Sequence, residues 1–418
     1  MLRYTPSMLL LLSAIACDQG LKCGEGTHEE DGYCLPDAIE GATADTEGGA
    51  VGDTGPPTDT SEGGTGEDSG EDTEPGVDTE PGTETADTGP VVPPLTVEEL
   101  LGLTWEAVPG AETRGAVIDV AEGTWRSGYV ARPTVHYDGE LFRMWFVGGV
   151  SAAGYPYDFL ERIGFATSED GIHWTVENGD APVMEPGAEG SIDDKGLSHP
   201  FVLRVEDTWW MWYAAINGDL VGHVRVEQMA LATSKDGVNW TRRNEPVITA
   251  GQRMDGLDRT QVDGAHVLQD EGGGFTMIHQ LLGDANHVLA MSTSEDGVTW
   301  TPVPDGWPIT GFSGNQQLGV SAHRDASGAW FALYQWVPFG RGWTTFAATS
   351  VDGLRWTPAY DHQQVLPPWE EGELGSNEYN HSVHPSQLVV LEDRVLFWFN
   401  AEEAPGITQR IGLAQALR

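Results

Sequence analysis

Apolar runs rich in Trp, Tyr, Phe and Val, each bounded by Gly and Asp, recur from about residue 134 to the end of the chain and predict β-strands. They come in a fixed order. In the first unit Thr134 to Tyr137 turns at Asp138-Gly139 into Leu141 to Val147; Ile163 to Thr167 follows a loop, and Trp174 to Glu177 follows a tight turn. The second unit has Phe201 to Val205, Trp209 to Ala214, Met229 to Thr233 and Trp240 to Arg243. The third has Ala265 to Gln269, Phe275 to Gln280, Leu289 to Thr293 and Trp300 to Val303, and the fourth Ser321 to Arg324, Trp330 to Gln335, Thr345 to Thr349 and Trp356 to Ala359. A fifth has Gln387 to Leu391, Val395 to Asn400 and Ile411 to Gln415, and lacks an outer strand. Leu103-Thr104-Trp105-Glu106, near the domain's start, resembles the tryptophan-bearing outer strands and is predicted to complete it, closing a ring and removing an exposed sheet edge.

The turn before each outer strand is Ser-x-Asp-Gly-x-x-Trp, at Ser168 to Trp174, Ser234 to Trp240, Ser294 to Trp300 and Ser350 to Trp356. Its tryptophans fall 66, 60 and 56 residues apart, a period that suits one four-stranded propeller blade with generous loops. The predicted fold is therefore all-β: a five-bladed β-propeller over residues 95 to 418, its ring closed by an N-terminal strand. Ser and Asp of the signature can bond turn amides, Gly permits positive φ, and Trp fills space between blades. The motif resembles the aspartate box of sialidase propellers, with one residue fewer between Asp and Gly, and its four copies mark a fold element rather than a catalytic one.

If strands alternate up and down, the signature turns share one face and the long connections, such as 148 to 162, 216 to 228, 243 to 262 and 360 to 381, share the other. On that face the residue at the start of each innermost strand points to the central channel. Aligning the units puts Arg132, His199, Asp263, Gly319 and His384 there, and nearby loops add Asp193, Asp194, Asp258, Arg259, Glu378 and His381. Such a funnel is a polar binding site. Asp194 and Asp258 lie six positions before Pro200 and Gly264, a repeat that equally fits a loop-ordering role.

Arg132-Pro-Thr-Val-His-Tyr-Asp-Gly, His199-Pro-Phe-Val-Leu and Ile163-Gly-Phe-Ala-Thr resemble the five-bladed glycoside hydrolase superfamily of arabinanases, xylosidases, fructosidases and mannoside phosphorylases. The resemblance implies carboxylates at inner-strand starts acting as base or nucleophile and a Glu as acid. Here the first slot holds Arg132 and the second His199, so Asp263 alone keeps a carboxylate, with Asp194, Asp258 or Glu378 as its candidate partners. Arg132, His199, Arg259, His381 and His384 are the candidate substrate contacts. A phosphorylase-like reaction needs one acid and a cationic phosphate pocket, which Arg132, Arg259, His199 and His384 would supply. A glycan-binding propeller without catalysis and a protein-interaction propeller are the alternatives. No cofactor is implied; a channel metal ion on His199, His381 and His384 is a further alternative.

Composition adds a compartment. Arg3, the apolar Met8 to Leu12 and the small residues Ser13 to Ala16 read as an export signal over residues 1 to 16. Ala14-Ile15-Ala16-Cys17 resembles the lipobox of bacterial lipoproteins, which implies cleavage before Cys17 and its lipidation; an ordinary secretory signal cut near Ala16 is the alternative. In residues 17 to 34, Cys23 and Cys34 are then left to pair, a disulfide that an oxidising compartment allows. Residues 35 to 94 are Gly, Thr, Pro, Asp and Glu, with 16 acidic residues and no basic one, and read as a disordered acidic linker. A coil of that length spans roughly 40 to 50 Å.

The chain's formal charge is −44, and 44 acidic against 19 basic residues after Pro94 leave the propeller near −25. Nucleic acid is excluded as a partner. The expectation is a monomeric, extracytoplasmic lipoprotein, tied to a bacterial membrane through the lipid alone, whose propeller engages carbohydrate.

Overall fold

The computed structural model describes residues 27–30, 33–36 and, from 95 to 418, all but 152–158, 218–225, 250–260, 271, 283–286, 305–316, 337–343, 361–364, 366–383 and 404–407. Contacts divide the chain into two units, Met1–Gly82 and Thr83–Arg418. In the first, β1 (Thr27–Glu30) and β2 (Tyr33–Pro36) form an antiparallel hairpin with Glu29 opposite Cys34. The lipidation expected at Cys17 and the disulfide partner Cys23 lie outside the described residues, as does the acidic linker over 37–94.

The second unit is nearly all β. It opens on α1 (Val97–Gly102), where the Thr96 hydroxyl accepts from the Glu99 amide and the Glu99 carboxylate accepts from the Thr96 amide, a reciprocal cap that needs only a Thr and a Glu three residues apart. A single strand, β3 (Glu106–Val108), follows. Then come four antiparallel sheets in chain order: β4 (Tyr129–Tyr137), β5 (Phe142–Ser151), β6 (Phe159–Ser168) and β7 (Thr175–Val176); β8 (Gly196–Val205), β9 (Thr208–Asn217), β10 (Val226–Ser234) and β11 (Thr241–Arg242); β12 (Gln261–Gln269), β13 (Phe275–Leu282), β14 (His287–Ser294) and β15 (Thr301–Pro302); β16 (Gln317–Arg324), β17 (Trp330–Trp336), β18 (Thr344–Ser350) and β19 (Thr357–Pro358).

The last sheet splits its inner strand into β20 (His384–Pro385) and β21 (Val389–Val390), beside β22 (Arg394–Glu403) and β23 (Thr408–Leu417). Its outer strand is β3, which pairs antiparallel with Leu413, Ala414 and Gln415 of β23. The paired residues overlap the expected segment Leu103 to Glu106 at Glu106 and continue two residues past it. Trp105 stands just before them, buried against Phe397 with ring centroids 5.0 Å apart. The innermost strands β4, β8, β12, β16 and β20 touch in that cyclic order, and β20 touches β4.

The signature turns stitch one sheet to the next. In each, the Asp Oδ1 accepts from two backbone amides, as Asp296 does from Val298 and Thr299 at 2.8 and 2.7 Å, and the Ser hydroxyl accepts from the Gly amide. Those amides hold the Asp296 carboxyl down to about 2. The signature Trp then donates its indole N–H to its own Gly carbonyl. Three of those carbonyls accept a second indole, from a second-strand tryptophan of the preceding sheet: Trp145 to Gly237 at 2.8 Å, Trp212 to Gly297 at 3.0 Å and Trp398 to Gly171 at 3.0 Å. Gly237 has φ +79°, and a Cβ there would sit 2.9 Å from the Trp145 ring. Glycine is required twice over, by backbone angle and by the neighbour's approach.

Two buried histidines work in the core as neutral groups. His266 reaches across from β12 with its Nε2 near both backbone groups of Ala322 on β16, and the His279 ring contacts the Ser292 hydroxyl at 3.1 Å. Burial pushes each down to about 4, although the Ala322 contact opposes this at His266. The unfolded chain takes up these protons near pH 6.5 and the folded chain does not until about pH 4. Stability contributed above pH 6.5 is therefore lost as pH falls through that window. Denaturant midpoints are expected to drop steadily between pH 6.5 and 5, before most carboxylates protonate, and to drop less in His279→Gln. A midpoint flat over that range rejects the assignment.

Candidate functional site

Each of the first four inner strands carries a bulge at the same place. Register slips between Ala131 and Thr134, Ser198 and Phe201, Asp263 and His266, and Leu318 and Val320. One residue inside each bulge has positive φ: Arg132 at 53°, His199 at 47°, Gly264 at 59° and Gly319 at 47°. Glycine takes that conformation freely. Arg132 and His199 do not, and a strain of about 1–3 kcal/mol at such a residue persists only where the surroundings hold it. The Arg132 amide is held across the sheet junction by the Asn400 side-chain carbonyl, at 3.1 Å. By this register the third sheet's counterpart of Arg132 and His199 is Gly264. Asp263 stands one residue earlier than the sequence alignment set it, level with Ala131 and Ser198.

Arg132, His199, Gly264 and Gly319 line one cavity with Gln280 and Ser386, of about 430 Å³ counting its open mouth. Thr134 spans the ring beneath it, donating to the Gln387 side chain at 2.9 Å and accepting from the Val202 amide. Beside the cavity stand three carboxylates that are almost wholly buried: Glu161, Glu227 and Asp263, at 2%, 5% and 4% exposure. The Arg132 guanidinium pairs with Glu161 at 3.1 Å, and the Tyr129 hydroxyl donates to the same oxygen. His199 Nδ1 lies 3.6 Å from Asp263 Oδ2. Ligand-capable atoms of His199, Glu227 and Asp263 all fall within 4.8 Å of one another. Burial alone would lower the pKa of Arg132, but Glu161, Tyr129, Glu227 and Asp263 outweigh it and keep the group cationic.

The sequence pattern begins these apolar strands at Ile163 and Met229 and so places Glu161 and Glu227 in loops. The structure extends β6 and β10 outward past those points. Both glutamates stand two residues before the repeated apolar strand, at equivalent places in consecutive units. That shared offset is the signal by which they could be found. Glu227 pairs in parallel with Gln261, a bridge that joins the second and third sheets among the described residues.

The Asp194 carboxylate accepts from the Gly190 amide at 2.9 Å and lies 3.5 Å from Lys195, which orders the loop before β8. Asp193 is fully buried and accepts from Tyr213, Arg242 and Ser191, a structural hub. His384 opens β20 opposite Asn400. Asp258, Arg259, Glu378 and His381 lie outside the described residues, and with them the metal set drawn from His381 and His384. Among the described residues the set able to hold a divalent cation is His199, Glu227 and Asp263.

A buried group of carboxylates with one arginine and one histidine thus stands beside the cavity. Among the relatives of this chain are two phosphorylases. A 1,2-beta-oligomannan phosphorylase of Thermoanaerobacter sp. (strain X514) is 24% identical over 222 residues, 51% of this chain and 66% of that protein. A beta-1,2-mannobiose phosphorylase of the same organism is 25% identical over 174 residues, 40% of this chain and 51% of the other. The chain thus spans between half and two thirds of the length of these phosphorylases. No family profile matches it.

Solved structures share the fold. One, from work on glycoside hydrolases within the GH130 family of mannoside phosphorylases that target beta-1,2 mannosidic linkages in Candida mannan, superposes with a TM-score of 0.55 at 20% identity, over 74% of this chain and 92% of that one. The beta-1,2-mannobiose phosphorylase of Listeria innocua superposes at 0.51 with 14% identity, over 69% and 89%.

Proposed function

We propose that the propeller hydrolyses β-mannosidic bonds, with Glu227 and Asp263 as the acid and nucleophile pair. The observation that carries this is the set of three buried carboxylates beside the channel mouth, two of which approach within 4.8 Å of each other and of His199. Like charges that close favour one protonated and one ionised carboxyl, the state that retaining cleavage needs: one group gives a proton to the leaving oxygen while the other attacks the anomeric carbon, and water, deprotonated by the first group, then releases the sugar from the second. Arg132 and Tyr129 fix Glu161 at the edge of the pair, where its oxygens can accept from sugar hydroxyls.

Hydrolysis fits better than phosphorolysis on charge. A phosphate would have to enter beside Glu161, Glu227 and Asp263, and the guanidinium of Arg132 is already paired with Glu161. The similarity to proteins that act on β-1,2-mannosides supplies the substrate class. The test is incubation of the purified chain with β-1,2-mannobiose, with and without inorganic phosphate. Free mannose released at the same rate in both is expected. Mannose 1-phosphate formed only with phosphate would replace hydrolysis by phosphorolysis, and binding without turnover would leave a glycan-binding propeller.

A further inference from the structure

Gln280 is 2% exposed, stands on β13 opposite Asp263, and lines the same cavity as Arg132 and His199. Among the described residues its Nε2 has no hydrogen-bond partner. A buried amide donor left unpaired is rare in a folded protein and calls for a reason. The surroundings are shaped for it. A Cβ on Gly264 would lie 1.9 Å from Gln280 Nε2, so the glycine in the third bulge makes room for this side chain.

The same positions in the other sheets give the reason. In the first two, the bulge residue carries the polar side chain, Arg132 or His199, and the second-strand residue opposite the bulge is Val147 or Ala214. In the third the roles are exchanged: the bulge is Gly264, and the second strand supplies Gln280. The fourth sheet repeats the exchange with Gly319 and Gln335, which is fully buried with neither amide atom partnered among the described residues. Each of the four sheets thus keeps one polar side chain at this level, by alternate means.

We infer that Gln280 is a substrate-binding residue, donating its amide N–H to a hydroxyl of an uncharged glycosyl unit held beside Asp263. A neutral donor next to buried carboxylates suits a hydroxyl oxygen and disfavours a sugar phosphate or a uronate, whose charge those carboxylates repel. This rests on the glycoside reading above and adds the residue that selects the ligand.

Gln280→Met keeps the side chain's length and removes the amide. Two measurements on the full chain decide the matter: the thermal midpoint, and affinity for β-1,2-mannobiose by calorimetry. Expected are a midpoint held or raised, because an unpaired buried polar group is removed, and affinity weakened at least tenfold. A midpoint lowered by more than about 2 °C shows that the amide is structural and overturns the inference, as does unchanged affinity. If the unaltered chain does not bind β-1,2-mannobiose, the mannoside reading fails on its own. The affinity comparison then moves to the uncharged oligosaccharide that binds best on a glycan array, and an array on which none binds overturns this inference as well.

Discussion

Glu227→Gln is expected to lower turnover of β-1,2-mannobiose by about a thousandfold, within the range that a positioned acid or base contributes, while the domain stays folded. Asp263→Asn should do the same, and the double variant should be little worse than either alone, because an acid and a nucleophile working on one glycosidic bond act as a unit. Both substitutions preserve shape, and both residues are carried on paired strands rather than on loops. Removing a charge from a crowded set of buried carboxylates does not leave an orphaned cation, since Arg132 keeps Glu161. Steady-state rates beside a thermal melt check this. Loss of activity confined to Asp194→Asn, with Glu227→Gln at full rate, would move the chemistry from the channel to the loop before β8.

Trp212→Ala carries the largest expected effect on stability. The ring is fully buried, lies 5.9 Å from Phe275 and 6.3 Å from Trp300, and donates to the Gly297 carbonyl of the next sheet. Emptying so large a site costs about 3–5 kcal/mol, because neighbours pinned in strands cannot collapse into it. Trp212→Phe separates the two contributions: most of the volume remains and the inter-sheet bond is lost, so about 1 kcal/mol is expected. Denaturant midpoints of the three proteins give both numbers. Equal midpoints for Ala and Phe would mean that packing between sheets is not what the tryptophan supplies.

The architecture was legible because it repeats. Four copies of the signature, each with apolar runs before it, mark their own strands, and the indole bonds now seen between sheets are why Gly and Trp stay fixed at that spacing. The site was less legible, for two local reasons. Apolarity marks where a strand is buried among other strands, and β6 and β10 continue past that point into the channel wall, carrying Glu161 and Glu227 where pattern alone reads loop. A bulge adds one residue to a strand, so aligning the starts of the inner strands matches Asp263 with His199, whereas its structural equal is Ser198. Arg132 and His199 were found because each precedes a proline at the start of an inner strand. Gln280 was passed over as the last residue of an ordinary apolar run, since nothing in a sequence shows that the glycine opposite has been left bare for it.

The pairing of β3 with β23 has a consequence for the order in which the molecule is made. Glu106 and Gln415, bonded side chain to side chain at 2.8 Å, are 309 residues apart. A ribosome delivers the first strand of that sheet long before its partner, and during the interval β3 and the flank of β4 present open edges. The ten residues of β23, Thr408–Leu417, are therefore the ones that bring β3 into its sheet. Until they are made, β3 and the free edge of β22 wait without their partner.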